Sequence, residues 1–294
     1  MQSGIFTFFL PLTLAVLMMG LGLLLSPKDF IRVNQQPKVI FIALFTRQVL
    51  LVGLAFILCL FLELPPLLAV GLMLLSATPS GSTSALFSYV YKGDVALNIV
   101  VVAINSVMAI LTLPFVISIA MRYFMADQTE ISMPIERIAY TFLLILVPVC
   151  LGMAIRSSFP ELAKRLSKPI RRMSVYFIFA LFFFALFQER YQLAQYMEQV
   201  GLATALYAFV SLVAGYVLPQ LMDIPEQQAR SCGFFMSIHN TALSLTLALS
   251  VLQSTQIAIP AAIYTIFMYM FALIFGHLLA RRMPLNSVKQ KVIE

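Results

Sequence analysis

Two short polar segments interrupt long apolar stretches of the chain: ATPSGSTSA at 77–85 and MSIHNTALS at 236–244. Pro79 lacks a backbone N–H and Gly81 relaxes steric limits, so a continuous helix through the first segment is not expected. In hydrocarbon, irregular backbone survives only against protein or a wet cavity. A pair of broken helices, one in each half of a chain, is typical of the binding site of a membrane transporter.

The polar side chains of both breaks are of kinds that bind anions. A helix that restarts after a break also presents free N–H groups and the positive end of its dipole. Each hydroxyl taken alone has an alternative role, which is to bond a carbonyl of its own helix. Their occurrence in both halves favours a site. The candidate substrate ligands in the breaks are Ser82, Thr83, Ser84, His239, Asn240 and Thr241.

Arg47 and His239 are the two charged or titratable candidates near the middle of apolar stretches. A guanidinium at that depth needs a cavity or a partner, and no Asp or Glu lies near the middle of any apolar run. Its partner is therefore either a bound anion, which makes Arg47 a further substrate ligand, or a set of helix carbonyls with water. His239 either carries a coupling proton or acts as a neutral hydrogen-bonding group.

The composition predicts that these residues lie in a bilayer. Of 294 residues, 61% are hydrophobic and 11% charged, which excludes a soluble domain and a disordered chain. The cysteines show no metal-ligand spacing, and no cofactor is expected. We predict an all-α polytopic membrane protein, a single domain over 1–294. Its transmembrane helices, about nine in number, are expected at 4–25, 37–61, 66–91, 94–122, 133–155, 171–188, 199–220, 229–253 and 257–280.

Basic residues are concentrated in alternate loops. Of 19 Lys and Arg residues, 15 fall on one side of the predicted membrane, which the positive-inside rule makes cytoplasmic. The N-terminus is then outside and the tail 281–294 inside. This asymmetry explains the pI of 9.4 without a nucleic-acid partner. The expected partners are the lipid bilayer and a small molecule.

The predicted helices fall into two sets of four. Repeat one covers about 4–122 and repeat two about 171–280, with a connecting helix at 133–155. Four spans return the chain to the side on which it started, and the connecting helix then crosses the membrane once more. The two sets therefore start from opposite sides of the membrane. The broken segment is the third member of each set, which is the pattern of an inverted repeat with two discontinuous helices.

The motifs around the breaks resemble those of the bile acid:sodium symporter family. GLGLLLSPKDF at 20–30 and LPPLLAVGLMLLSATPSGSTSALFSYVYKGDVAL at 64–97 carry a PGGTASN-like break and a G-[ND]-x-A-L turn. FFMSIHNTALS at 234–244 is similar to the family's EVGMQNSGLA motif. The resemblance implies a core domain, in which the broken helices cross, beside a panel domain. It also implies transport of organic anions, usually with sodium, in a bacterial inner membrane.

The chain departs from the family where sodium ligands are expected. The resemblance places Phe235 at a glutamate position and Arg47 at a glutamine position. An arginine beside such a site would repel a cation by several kcal/mol. The remaining departures are His239 for a glutamine, Ala85 for an asparagine beside a retained Ser84, and Asn98 and Val102 for two hydroxyl residues.

These observations predict a secondary transporter of small organic anions that is not conventionally coupled to sodium. His239, Ser84 and Asn98 are the candidates for ion or proton coupling. A sodium-coupled symporter with altered ion sites is an open alternative. An intramembrane hydrolase that uses a serine with His239 is a second alternative, against which stands the lack of a carboxylate to orient the histidine.

Overall fold

The computed structural model describes residues 36–81, 83–126, 135–163 and 193–281, with isolated positions elsewhere. Helices account for most of these ranges. Within the first helix, residues 46–51 form a π-helical turn. The helices are α1 (Pro37–Phe61), α2 (Pro66–Ala77), α3 (Thr83–Val90), α4 (Val95–Phe124), α5 (Ile135–Ser158), α6 (Leu193–Leu221), α7 (Glu226–Ser237), α8 (Thr241–Ser250) and α9 (Thr255–Arg281).

The helices follow the predicted spans wherever the chain is described. The spans 66–91 and 229–253 are each divided into two helices, α2 with α3 and α7 with α8, at the predicted breaks. Among the described helices, α1, α4, α6 and α9 are long and apolar enough to cross a bilayer. The protein is therefore a helical membrane protein. The predicted spans 4–25 and 171–188 lie largely outside the described residues.

Local sequence explains where several helices begin. Pro37 and Pro66 occupy the first turns of α1 and α2, where a missing N–H costs nothing. Asp94 caps α4 by accepting a hydrogen bond from the Leu97 N–H at 2.9 Å. Asn240 caps α8 in the same way through the Leu243 N–H at 3.1 Å.

The half-helices α2 and α7 form the centre of the described fold. Every residue from Leu68 to Ala77 of α2 and from Ala229 to Ser237 of α7 is buried. Helices α4 and α9 pack on α2, and α6 packs on α7 and α9. The outer faces of the long helices are apolar and exposed, as at Phe41 and Phe115. This is the distribution expected where lipid covers the outer surface.

Several contacts join helix ends at one face of the bundle. Lys38 Nζ donates to the Met222 carbonyl at 2.7 Å, and the Asp94 N–H donates to the Gln227 carbonyl at 3.0 Å. Arg230, which is 2% exposed, bonds Glu226 at 2.8 Å. These residues belong to loops and helix ends that the charge pattern places on a common side. Which side is cytoplasmic stays a prediction.

Glycine permits the closest helix contacts of the core. A Cβ at Gly71 of α2 would lie 2.4 Å from the Ile257 carbonyl oxygen and 2.8 Å from Pro260 Cγ on α9. A Cβ at Gly215 of α6 would lie 2.9 Å from the Cys232 carbonyl oxygen on α7. Small residues that let backbones approach are a general feature of membrane helix packing.

We predict that Gly71→Ala destabilises the protein, because its methyl group collides with the α9 backbone. The expected loss is about 1–3 kcal/mol, the usual effect of overpacking a core. Gly53→Ala is the matched control, since a Cβ there would meet no described residue within 4 Å. Thermal unfolding of both variants in detergent tests this. Equal midpoints for the two variants would contradict the close approach of α2 and α9.

Candidate functional site

The two helix breaks satisfy each other's backbone. Ser80 and His239 form an isolated antiparallel β-bridge. The Gly81 N–H donates to the Ile238 carbonyl at 2.9 Å, and the Asn240 N–H donates to the Pro79 carbonyl at 2.9 Å. Each break thus donates one backbone N–H to the other break and accepts one hydrogen bond at a backbone carbonyl. Backbone released from a helix in an apolar setting is thereby paired within the protein.

Arg47 lies directly beside this bridge, in the π-helical turn of α1, and is 1% exposed. A π turn inserts one extra residue into a helix and is frequent at functional sites. The Arg47 side chain reaches the carbonyl ends of both half-helices and the histidine of the second break. Its guanidinium contacts are Nη1 to Phe235 O at 2.8 Å, Nη1 to Met236 O at 3.0 Å, Nη2 to Thr78 O at 3.0 Å and Nη2 to His239 Nδ1 at 3.0 Å.

The remaining guanidinium N–H is taken by Asn105 of α4. With the Asn105 amide oriented so that its oxygen faces donors, that oxygen accepts from Arg47 Nε at 3.2 Å and from the Ser80 N–H at 3.1 Å. The Phe235 ring lies 5.1 Å from the guanidinium carbon. A guanidinium has five N–H groups, so all five are engaged by the protein. Of the two partners that the sequence left open for Arg47, the structure contains the helix carbonyls.

These contacts balance charge at two helix ends. The carbonyls of Thr78, Phe235 and Met236 lie at the C-terminal ends of α2 and α7. Each such end carries about half a negative elementary charge. One guanidinium therefore offsets the pair, and it does so with charge-assisted hydrogen bonds.

Ser84 and Asn98 belong to a second buried network beside the first break. The Ser84 hydroxyl donates to Asn98 Oδ1 at 2.9 Å, and Asn98 Nδ2 donates to Ser88 Oγ at 3.0 Å and to Ser231 O at 3.1 Å. Ser84, Ser88 and Asn98 are 0% exposed. The Ser80 hydroxyl lies 3.3 Å from Ser84 Oγ. The oxygen atoms and the amide hydrogens of this network are thus bonded to one another.

The accessible part of the site is at the restarting helices. Thr83, Asn240 and Thr241, at the N-terminal ends of α3 and α8, are half-buried, unlike Ser84 and the 2% exposed His239. The Thr241 N–H bonds the His239 carbonyl at 3.0 Å and the Leu243 N–H bonds Asn240 Oδ1, so the half-buried polar surface at the two helix starts is formed by the side chains of Thr83, Asn240 and Thr241. Ser82, also predicted as a ligand, lies outside the described residues.

Two residues of this region were not predicted from the sequence. Tyr269 of α9 is half-buried, and its hydroxyl lies 3.5 Å from Thr83 Oγ1. Asn105 of α4 joins Arg47 to Ser80. The signal for Asn105 was an amide in the middle of an apolar span, which by itself indicates a buried partner. A tyrosine in a span gives no such signal. The described residues contain no cluster of three or more His, Cys, Asp or Glu that could hold a metal ion.

Comparison with known proteins identifies relatives of this chain. The chain is 25% identical over 254 residues to the probable sodium/metabolite cotransporter BASS1, chloroplastic, of Arabidopsis thaliana, covering 86% of this chain and 62% of that protein. It is 27% identical over 213 residues to human P3 protein, covering 72% and 44%. It is 23% identical over 278 residues to the human ileal sodium/bile acid cotransporter, covering 93% and 79%.

The chain thus spans less than two thirds of the length of several relatives that it matches, including the Arabidopsis protein and P3 protein. Residues 11–196 match the profile described as the Sodium Bile acid symporter family. This match takes in α1 to α5 and the first helix break. The relatives extend the match across the second break. The chain belongs to the Sodium Bile acid symporter family.

Proposed function

We propose that the protein is a secondary transporter of small organic anions that works by alternating access. The observation that carries this proposal is the pair of broken helices whose backbones bond each other and leave two helix N-termini at one half-buried surface. Family membership supports transport, since the names of the Arabidopsis and ileal relatives describe cotransporters. A substrate carboxylate or sulfonate is the anion that this surface suits.

The substrate ligands are proposed at the N-terminal ends of α3 and α8. Thr83 and Thr241 offer hydroxyls at the positive ends of their helices, and Asn240, whose Oδ1 caps α8, offers its Nδ2–H groups. Tyr269 adds a phenol within 3.5 Å of Thr83. Two positive helix ends and several neutral donors together favour one negative charge. Ser82 remains a proposed ligand from the sequence.

We propose that Arg47 and His239 act on the substrate indirectly. The N–H groups of Arg47 are all bonded within the described structure, and the side chains of both Arg47 and His239 are buried. Arg47 holds the negative ends of α2 and α7 and so lets the positive ends of α3 and α8 act on the substrate. Arg47 is in this sense a resident cation of the site.

A resident cation disfavours conventional sodium coupling. The carbonyls of Thr78, Phe235 and Met236 are the oxygen ligands that a hard cation prefers, and the guanidinium takes all three. A sodium ion about 4 Å from it would be repelled by roughly 4 kcal/mol at an effective dielectric of about 20. The Ser84 and Asn98 oxygens are bonded within their own network, although they are the alternative place for an ion.

The geometry gives less support to an intramembrane hydrolase. His239 Nδ1 lies near Arg47 Nη2 and the Leu75 carbonyl, and Ser84 donates to Asn98. Within the described part of the chain, no serine hydroxyl bonds to His239, as a general base would require.

For membrane placement, we propose a bacterial inner membrane with the basic face cytoplasmic.

We predict that Thr83→Val and Tyr269→Phe each weaken anion binding about 10-fold, the effect of losing one hydrogen bond to a charged group. The probes are a bile salt, pantoate and smaller carboxylates and sulfonates, screened by thermal shift and then by calorimetry. Thr265→Val is the matched control, because its hydroxyl bonds the Ala261 carbonyl in its own helix. Unchanged affinity in both variants would place the substrate elsewhere.

We predict that transport of the best-binding anion into proteoliposomes changes by less than about twofold when choline replaces sodium, since Arg47 already supplies the positive charge. Arg47→Gln should lower sodium-free transport at least about 10-fold, because it leaves helix-end carbonyls unpaired. Arg122→Gln, at an exposed arginine, is the control. Thermal unfolding of each variant separates loss of folding from loss of function.

Strict sodium dependence of the unaltered protein would refute the proposal that Arg47 takes the place of a coupling sodium ion. The proposal of anion transport would not be affected. A saturable flux with counterflow would exclude a channel. Hydrolysis of the test anion that disappears in His239→Gln would instead support the enzyme alternative.

A further inference from the structure

The second ring nitrogen of His239 faces a different set of residues from the first. Nδ1 lies 3.0 Å from Arg47 Nη2 and 3.1 Å from the Leu75 carbonyl. A guanidinium nitrogen is always a donor. We therefore assign Nδ1 as the acceptor for Arg47, which places the proton of a neutral His239 on Nε2 and leaves the Leu75 carbonyl as a close neighbour of Nδ1 that receives no hydrogen from it.

The Nε2–H group is buried and meets no partner in the part of the chain that the structure describes. His239 is 2% exposed, and Nε2 makes no hydrogen bond among the described residues. Its ring packs against Tyr207 of α6, with centroids 5.4 Å apart, and against Tyr264 of α9, at 5.3 Å. The two tyrosine rings are 5.7 Å apart. The three rings thus form a closed triangle.

Other polar atoms at this triangle are also unpaired. In the described structure the hydroxyls of Tyr207 and of Ser211, one turn further along α6, complete no hydrogen bond, although Ser211 lies close to the phenols of both Tyr207 and Tyr264. The Tyr264 hydroxyl donates to the Ser237 carbonyl at 2.6 Å and retains its capacity to accept.

Leaving a buried donor or acceptor unpaired costs about 1–3 kcal/mol. Native proteins pair the large majority of such groups, and a buried water typically satisfies two to four of them. Unpaired groups of α6 and of the second break belong to residues of a single aromatic triangle and to its neighbour Ser211. A single small molecule that both accepts and donates hydrogen bonds would pair these groups.

We propose that the triangle of Tyr207, His239 and Tyr264, with Ser211, is a binding site for a buried water molecule. The water accepts from His239 Nε2–H and bonds the hydroxyls of Tyr207 and Ser211. It fixes His239 as the neutral form with its proton on Nε2. Nδ1 is then kept as the acceptor for Arg47, and the second break is joined to α6 through the water.

This site gives His239 a defined part in the proposed transport. A second proton on Nδ1 would face the Arg47 guanidinium at 3.0 Å and remove its acceptor. Among the residues that the structure describes, the other titratable groups that face the ring are the phenols of Tyr207 and Tyr264. The water site thus assigns His239 a positioning role and argues against a coupling proton. That consequence rests on the proposed function, whereas the water site does not.

Solid-state NMR in lipid vesicles tests the proposal. The chain has two histidines, so ¹⁵N-histidine labelling of a His277→Gln variant reports His239 alone. His277 lies near one end of α9, where it bonds Tyr91 and the Leu273 carbonyl. We expect a neutral ring with an unprotonated Nδ1, a protonated Nε2 and a cross-peak from Nε2–H to water at neutral pH. A proton on Nδ1, a doubly protonated ring or the absence of a water contact would each overturn the proposal.

Two variants add a quantitative test. Tyr207→Phe and Ser211→Ala each remove one of the about three bonds that a buried water holds and should reduce the water cross-peak by about a third. Thr204→Val on the same helix is the control, since its hydroxyl already bonds the Val200 carbonyl at 2.9 Å. An equal cross-peak in all variants would refute the assignment.

The same samples separate this proposal from the proposed function. Anion binding by thermal shift without a water contact would refute the water site alone. A water contact without binding of any test anion would count against the transporter and leave the water site intact. If Tyr207→Phe or Ser211→Ala does not fold, the cross-peak of the His277→Gln protein still shows whether a water molecule contacts Nε2–H.

Discussion

Hydrocarbon offers a backbone N–H or C=O no partner except the protein, and both helix breaks of this chain are subject to that constraint. The chain meets it by placing the breaks against each other as a short antiparallel bridge. Neither segment can keep its irregular shape without the other. The bridge also fixes the positions of four helix ends, and those ends determine the local electrostatics.

Charge at the bridge is separated by the direction of the helices. The C-terminal ends of α2 and α7 lie against Arg47, and the N-terminal ends of α3 and α8 lie at the half-buried surface with Thr83 and Thr241. The first pair of ends is balanced by a fixed positive charge, while the second pair is the one proposed to act on an anion. This separation is the physical basis of the proposed organic-anion site.

The sequence predicted helices and breaks well, because both depend on local properties. Long apolar runs predicted α1, α4, α5, α6 and α9, and Pro79 with Gly81 predicted the first break. The second break has neither proline nor glycine, and the polar residues in the range 237–241 were sufficient to predict it. Partners were harder to predict. Tyr269 and Asn105 contribute through long-range contacts, and nothing in their neighbouring residues marks those contacts.

The sequence by itself determined the solvent, the helical class, the places where helices break and the residue types available there. These follow from composition, hydrophobic run length and backbone chemistry, which need no knowledge of neighbours. Only the tertiary structure decided which groups Arg47 bonds, how His239 is oriented and which hydroxyls remain accessible. Such pairings join residues up to about 190 positions apart, as Arg47 and His239 are. Only the packing of the helices brings them within hydrogen-bonding distance.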